Sequence, residues 1–401
     1  MNLEVGSYYH PKDHRSNNKF YSISIKRMLR FYFFSLFFFS SILASDYYEG
    51  DFAVKEGVYA FYNYDFDQAV NILTKARKDF PDHPGVHLIW AASRWVKAQS
   101  NLTIEETYNR LESDLKDIEY IYSDLTKKYP HDPVFKLYRG SAIGLKARVT
   151  LGRKQWLRTL SYAYKGFNII EDVSKKHPDI IDAQLPIGII EYYAGMSNSM
   201  LKWAIKLYGL NASRDLGLQK MNLAAESGSW SWIEAKSILS NVYLWVEDEP
   251  ILALTHSKDL VKHFPKNYYF KLLHLESCIR TNNLSVSKVI IKEMEDDLSN
   301  LLSNQVVWYE PYLLYEKALY FFKKDEFKNA LSLVNQAVNS YAAELDIVLG
   351  NAYLLQGKCF DKLGKRKQAK ESYNMCIDLN NLSDAILKSK TYLENPYQGS
   401  K

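Results

Sequence analysis

The sequence predicts an all-α protein, an α-α superhelix (solenoid) of about six to seven antiparallel helix pairs with a C-terminal capping helix. Three observations carry this prediction. Small residues recur at spacings of twelve and seven along the chain. Between them, apolar residues fall three and four apart, the period of one helix face. The 401 residues hold only 17 Gly and 11 Pro, few for a sandwich or barrel whose turns return every ~8–12 residues.

At 47% hydrophobic and 24% charged, the chain can bury a sizeable core. Three Cys exclude a disulfide scaffold and a Cys-rich zinc module. A net charge of +5 suggests nucleic acid, but the excess is concentrated at the start. Residues 1–45 carry six of the 51 basic residues and two of the 46 acidic ones, so 45 oppose 44 in the rest. That near-balance argues against a nucleic-acid partner. The aromatic excess, 31 Tyr, 19 Phe and 8 Trp, has no such local source.

Residues 1–45 read as an N-terminal extension followed by a signal peptide. Lys26, Arg27 and Arg30 precede an apolar run over 31–44, and the small Ala44 and Ser45 precede Asp46. The run is shorter than the ~18–20 residues that span a bilayer. No Cys follows it, so the expected product is periplasmic or secreted and not a lipoprotein. Met28 sits where such a leader normally starts, which marks 1–27 as an upstream extension.

Residues 46–395 form the solenoid. Its first unit, 50–83, sets Gly57, Ala69, Ala76 and Pro81 at the spacing of two crossing helices and a stop. Small side chains are needed where antiparallel axes come within ~8–10 Å. Pro cannot continue the second helix. The helix pattern of 104–129 is long, and 134–151 pairs with 154–176. Residues 180–194 pair with 214–227, with Pro186 predicting a kink or a late helix start. The unit 234–267 keeps Ala253 and Pro265, and 267–280 with 284–301 is a degenerate pair. In 311–344 the small residues are Ala318, Ala330 and Ala337, and in 350–383 they are Gly357, Ala369 and Cys376. Residues 384–393 supply the cap.

The last unit reads Gly350-Asn-Ala-Tyr353 through Gly357, turns at Leu363-Gly364, and returns through Ala369, Tyr373 and Cys376. With the units at 57–81 and 318–337, it resembles the tetratricopeptide repeat. More loosely, residues 134–230 resemble elongated bacterial envelope proteins of that class, related to eukaryotic inclusion-body-clearance proteins. The elements are Tyr138-Arg-Gly140-Ser-Ala142, Gly188-Ile-Ile-Glu-Tyr192 and Asp215-Leu-Gly217. The resemblance implies protein scaffolding rather than catalysis.

In such a superhelix the first helix of each unit lines the concave face. Read by spacing, that stripe carries Val58, Phe61 and Tyr62, then Ile238, Val242 and Trp245. Further on it carries Tyr312, Tyr315 and Phe322, and finally Lys358 and Asp361. The stripe suits an apolar peptide or a partner helix, although aromatics at this spacing also serve as core. An inserted helix at 196–213 presents Met200, Trp203, Leu207 and Tyr208 on one face, a docking helix, a membrane-surface helix or a packed one.

Chemistry is thin. Phosphate-loop, nucleophile-elbow and paired-His zinc motifs are lacking, so no catalytic, metal or cofactor site is assigned. His83 and His131 sit in Pro turns as caps, and Cys359 and Cys376 read as buried free thiols. The function expected is that of an exported scaffold for a protein or peptide partner. A peripheral membrane role through 196–213 and an α-helical enzyme or accessory subunit are the rivals. Oligomeric state is not encoded legibly.

Overall fold

The computed structural model describes residues 48–153, 155–196, 212–343 and 346–399. The leader and the docking-helix positions Met200, Trp203, Leu207 and Tyr208 lie outside the described residues. Among those described, seventeen α-helices and one 3-10 turn form eight consecutive pairs and a final helix. The pairs are α1 (Asp51–Tyr62) with α2 (Phe66–Asp79), α3 (Val86–Gln99) with α4 (Ile104–Lys128), and α5 (Pro133–Gly152) with α6 (Trp156–Lys176). Next come α7 (Gln184–Met196) with α8 (Arg214–Ser227), α9 (Ser231–Trp245) with α10 (Pro250–His263), and α11 (Tyr268–Arg280) with α12 (Leu284–Leu298). The last are α13 (Ser303–Lys323) with α14 (Phe327–Ser340) and α15 (Ile347–Lys362) with α16 (Arg366–Asp378), followed by α17 (Asp384–Glu394). Each helix packs chiefly on its neighbours in sequence, so the fold is an all-α solenoid.

Local chemistry sets the boundaries. Thr103 and Glu106 form a reciprocal capping box at the start of α4. Asp132 caps α5 ahead of Pro133, whose missing N–H is harmless in a first turn. Five pairs turn through one left-handed residue: Tyr64, Asp248, Asn282, Asp325 and Gly364. After four of these, the next N–H reaches five residues back: Asp65 to Ala60, Asn283 to Cys278, Glu326 to Phe321, and Lys365 to Phe360, at 2.8–3.0 Å. This Schellman closure satisfies carbonyls that the helix ends leave open. The periodicity is therefore one of backbone, and Gly occupies only one of the five turns.

The small-residue spacing marks the closest helix approaches. A Cβ on Gly57 would stand 2.5 Å from Leu73, and one on Gly357 2.3 Å from Tyr373. A Cβ on Gly166 would stand 2.7 Å from the Gly140 carbonyl oxygen, and one on Gly217 2.4 Å from the Tyr192 nitrogen. Pro186 falls in the first turn of α7 after a 3-10 start at Ile181–Ala183, the later of the two outcomes foreseen.

Two features differ from the sequence reading. Among the described residues there are eight pairs rather than six or seven, because α3 (Val86–Gln99), which the repeat spacing passes over, pairs with α4. The unit placed at 311–344 begins at Ser303, because α13 carries Pro311 in its interior.

The array also turns back on itself. The Asn267 side-chain amide donates to the Tyr62 carbonyl at 2.8 Å, and Lys266 pairs with Asp65 at 3.0 Å. The Tyr64 and Tyr309 hydroxyls meet at 2.8 Å, and Asn304 donates to the Gln99 and Leu102 carbonyls. The first two pairs thus contact the sixth and seventh.

Candidate functional site

That closure decides where the stripe residues go. Val58, Phe61 and Tyr62 are 2–6% exposed, and Ile238, Val242 and Tyr312 are 0–5% exposed, and none of these six lines the cavity that lies toward the C-terminus. Tyr62 stacks on Phe270 and donates to Glu234 at 3.2 Å. Burial raises the Glu234 carboxyl to about 8. The aromatic stripe is covered because the superhelix packs its own first pair against its middle. That contact joins residues 201 apart in sequence and has no local signature.

Toward the C-terminus the concave side stays open. A cavity of about 530 Å³ lies between the ends of α9 and α11, the faces of α13 and α15, α17 and the tail. Most of the lining comes from the first helices α9, α11, α13 and α15, with Pro250 of α10 and Phe327 of α14 at its edge. Trp245, Tyr315, Phe322 and Lys358 are brought together there. Asp361 is adjacent but buried, with its side chain 1% exposed. It accepts from Arg366 at 3.0 and 3.1 Å and from Tyr373 at 2.9 Å.

The floor is polar beneath its rings. Glu276 is fully buried and accepts from the Trp245 indole at 2.8 Å and from the Tyr315 hydroxyl at 3.2 Å, with Arg280 at 3.5 Å. Glu316, also fully buried, faces it. Burial and the Glu276 charge push the Glu316 carboxyl well above the usual range. Neither Glu316 oxygen has a partner at hydrogen-bond distance. Glu276 anchors Trp245, Tyr315 and Arg280.

The rim is basic. Arg280, Lys323, Lys358, Lys362 and Lys388 face Asp248, Asp325 and Asp384. Arg280 and Lys388 are committed to Asp248, and Lys388 also to Asp384. Lys358 rests 5.1 Å over the Tyr397 ring and 5.6 Å over Tyr392. Burial, with the charges of Lys388 and Arg280, pushes its ammonium down to about 7. Burial and Arg280 lower Lys323 too. A half-enclosed, cation-rich cavity with an aromatic floor can hold an anionic group beside an apolar or aromatic one.

The sequence reading missed Arg280, Glu276, Glu316 and the tail residue Tyr397. The first three sit one helical turn apart on α11 or inside α13, where the pattern was degenerate or read as apolar. Tyr397 follows Pro396, beyond the boundary drawn at 395. Elsewhere, His83 caps α3 by accepting from Gly85 and Val86 at 3.1 Å, and pairs with Asp51 at 2.8 Å. His87 lies between Arg77 and the Pro81 carbonyl. Cys278, Cys359 and Cys376 are buried free thiols, and burial raises Cys376 to about 11. Among the described residues no His/Cys/Asp/Glu group of three could hold a metal. No described helix is long and apolar enough to cross a membrane.

No family model matches the chain. No curated protein matches it either. Among solved structures it is similar to a tetratricopeptide repeat protein from Parabacteroides merdae (15% identity, 73% of this chain and 97% of that one, TM-score 0.40). It is also similar to the apo quorum sensor NprR from B. thuringiensis (15%, 82% and 97%, 0.38) and to yeast Tom70 (11%, 86% and 88%, 0.34). Likenesses this distant carry no argument about ligand, partner or location. The chain's own geometry, eight helix pairs with repeated Schellman turns and glycine crossings, makes it an all-α superhelix of tetratricopeptide-like pairs.

Proposed function

We propose that the chain is an exported scaffold that binds a segment of another protein in the concave cavity between α9, α11, α13, α15 and α17. The observation that carries this reading is the cavity itself. It sets an aromatic floor under a basic rim in which Lys358 and Lys323 have no carboxylate at ion-pair distance. Burial disfavours the charged form of both amines, and an anionic group in the cavity would restore it. The near-balance of charge in residues 46–401 supports a protein partner over nucleic acid. Export rests on the basic-apolar-small pattern of residues 26–45.

The test is a photo-crosslinking amino acid placed at Lys323 on the rim, with a control at Lys292 on the exposed side of α12, in cells making the full chain. A defined adduct at 323 that is absent at 292 and lost with Lys358→Glu supports the reading. The same adducts at both positions, or none at 323, would remove it.

A further inference from the structure

The cavity already holds a peptide. After α17 ends at Glu394, Pro396 stops the helix and the chain runs along the cavity mouth as far as Gly399. The Tyr397 N–H donates to Asp361 at 2.8 Å, and the Gln398 carbonyl accepts from Lys362 at 3.2 Å. The Tyr397 ring lies 5.8 Å from Phe322 and 5.2 Å from Tyr392, with the Lys358 ammonium over its face. Asn395, Pro396, Gln398 and Gly399 are exposed, whereas Tyr397 is half-buried. One anchoring ring with flanking main-chain bonds is how an extended ligand is held in a groove.

Asp361 explains why that place is made for a peptide. Arg366 and Tyr373 hold its carboxylate rigidly, and the remaining lone pair points at the main chain of the tail. Nothing in this contact reads the tail's own sequence apart from its aromatic ring. Within the described tail, Gln398 offers Lys362 a neutral carbonyl, and among the described residues no carboxylate forms an ion pair with Lys358 or Lys323.

We infer that residues 395–399 are a strap that occupies the cavity in place of a partner, and that the partner is an extended segment with an aromatic residue followed by an acidic one. This rests on the peptide-binding reading above. The partner's ring takes the Tyr397 slot, its N–H takes Asp361, and its carboxylate meets the free lysines. The strap competes as a tethered ligand. At an effective concentration of about 1 mM, a strap whose own segment binds at about 0.1 mM weakens any trans ligand roughly tenfold.

The experiment uses the full chain and a fluorescein-labelled peptide of residues 394–399 carrying Gln398→Glu. Anisotropy titrations compare wild type, Tyr397→Ala and Tyr397→Phe, with circular dichroism to check helicity. The expected result is binding at least about tenfold tighter to Tyr397→Ala than to wild type, while Tyr397→Phe, which keeps the ring, stays near wild type. Equal affinity for wild type and Tyr397→Ala, or no binding to either, overturns the inference. So does loss of helicity in Tyr397→Ala, because a strap can leave without unfolding α15–α17. A second variant, with residues 397–399 replaced by Gly-Ser-Gly, must behave as Tyr397→Ala does. A partner adduct at position 323 that ignores both tail variants would leave the scaffold reading standing and remove the strap.

Discussion

Gly217 and Gly350 occupy the same place, the fourth residue of α8 and of α15, but in opposite surroundings. A Cβ on Gly217 would sit 2.4 Å from the Tyr192 nitrogen and 2.6 Å from the Gly188 oxygen, both backbone atoms. On Gly350 the nearest atom is the Asn381 side-chain amide at 3.4 Å, an ordinary contact. Alanine gains about 1 kcal/mol of helix propensity at either site, so that term cancels in the comparison. What remains is the overpacking at Gly217. Backbone cannot rotate away, so α8 must retreat from α7 by roughly 1 Å to reach normal contact, at a cost of about 1–3 kcal/mol. Gly217→Ala should therefore melt a few degrees below Gly350→Ala, and Gly350→Ala at or slightly above wild type. Thermal and urea midpoints are the appropriate readout, since a long repeat array need not unfold in one step. Equal midpoints for the two variants would refute the claim that the glycine spacing exists for helix approach.

Further predictions concern charge, capping and processing. Glu234 is raised to about 8 in the folded state, so it holds a proton that the unfolded chain releases near 4.5, and its contribution to stability falls as pH rises from about 4.5 to 8. Glu234→Gln should be more stable than wild type at pH 8 and indistinguishable from it near pH 4.5, read by melting across that range. Lys358, pushed down to about 7, should be labelled at pH 7.5 by a limiting amine-reactive ester faster in Tyr397→Ala, which uncovers it, than in wild type, as scored by peptide mass mapping. Asn267→Ala removes both the cap on the Phe270 N–H and the donor to the Tyr62 carbonyl, and should cost about 1–2 kcal/mol in urea unfolding. Sequencing the N-terminus of the mature chain should find it starting at or near Asp46.

The pairs that were legible in the sequence are those with one apolar face and a small residue at the crossing. In α2, α14 and α16 the buried positions repeat at three and four, so spacing alone locates them. α3 was passed over because it lacks the small-residue spacing, although Arg94 and Lys97 mark its less buried side. The turns at Tyr64 and Asp325 were hidden for another reason, since neither residue announces a left-handed backbone as Gly364 does. Asking which helix face looks inward picked out Trp245, Tyr315, Phe322 and Lys358, which line one cavity. That question could not separate them from Tyr62 or Val242, whose covering surface lies far away in the chain. Glu276 and Glu316 escaped because two facing acids read as solvent-exposed charge until burial is known.

The account turns on closure: the first pair packs on the middle of the array and buries its aromatic stripe there, while the C-terminal cavity stays open. Lys266 and Asp65 lie 3.0 Å apart at the surface of that contact, with side chains 67% and 37% exposed, within reach of a zero-length carbodiimide. Lys271 and Asp297, 2.6 Å apart on neighbouring helices, provide the control. Mass spectrometry of the crosslinked monomer should find both the 266–65 and the 271–297 amide. A monomer that carries the 271–297 link and lacks 266–65 would contradict the closure.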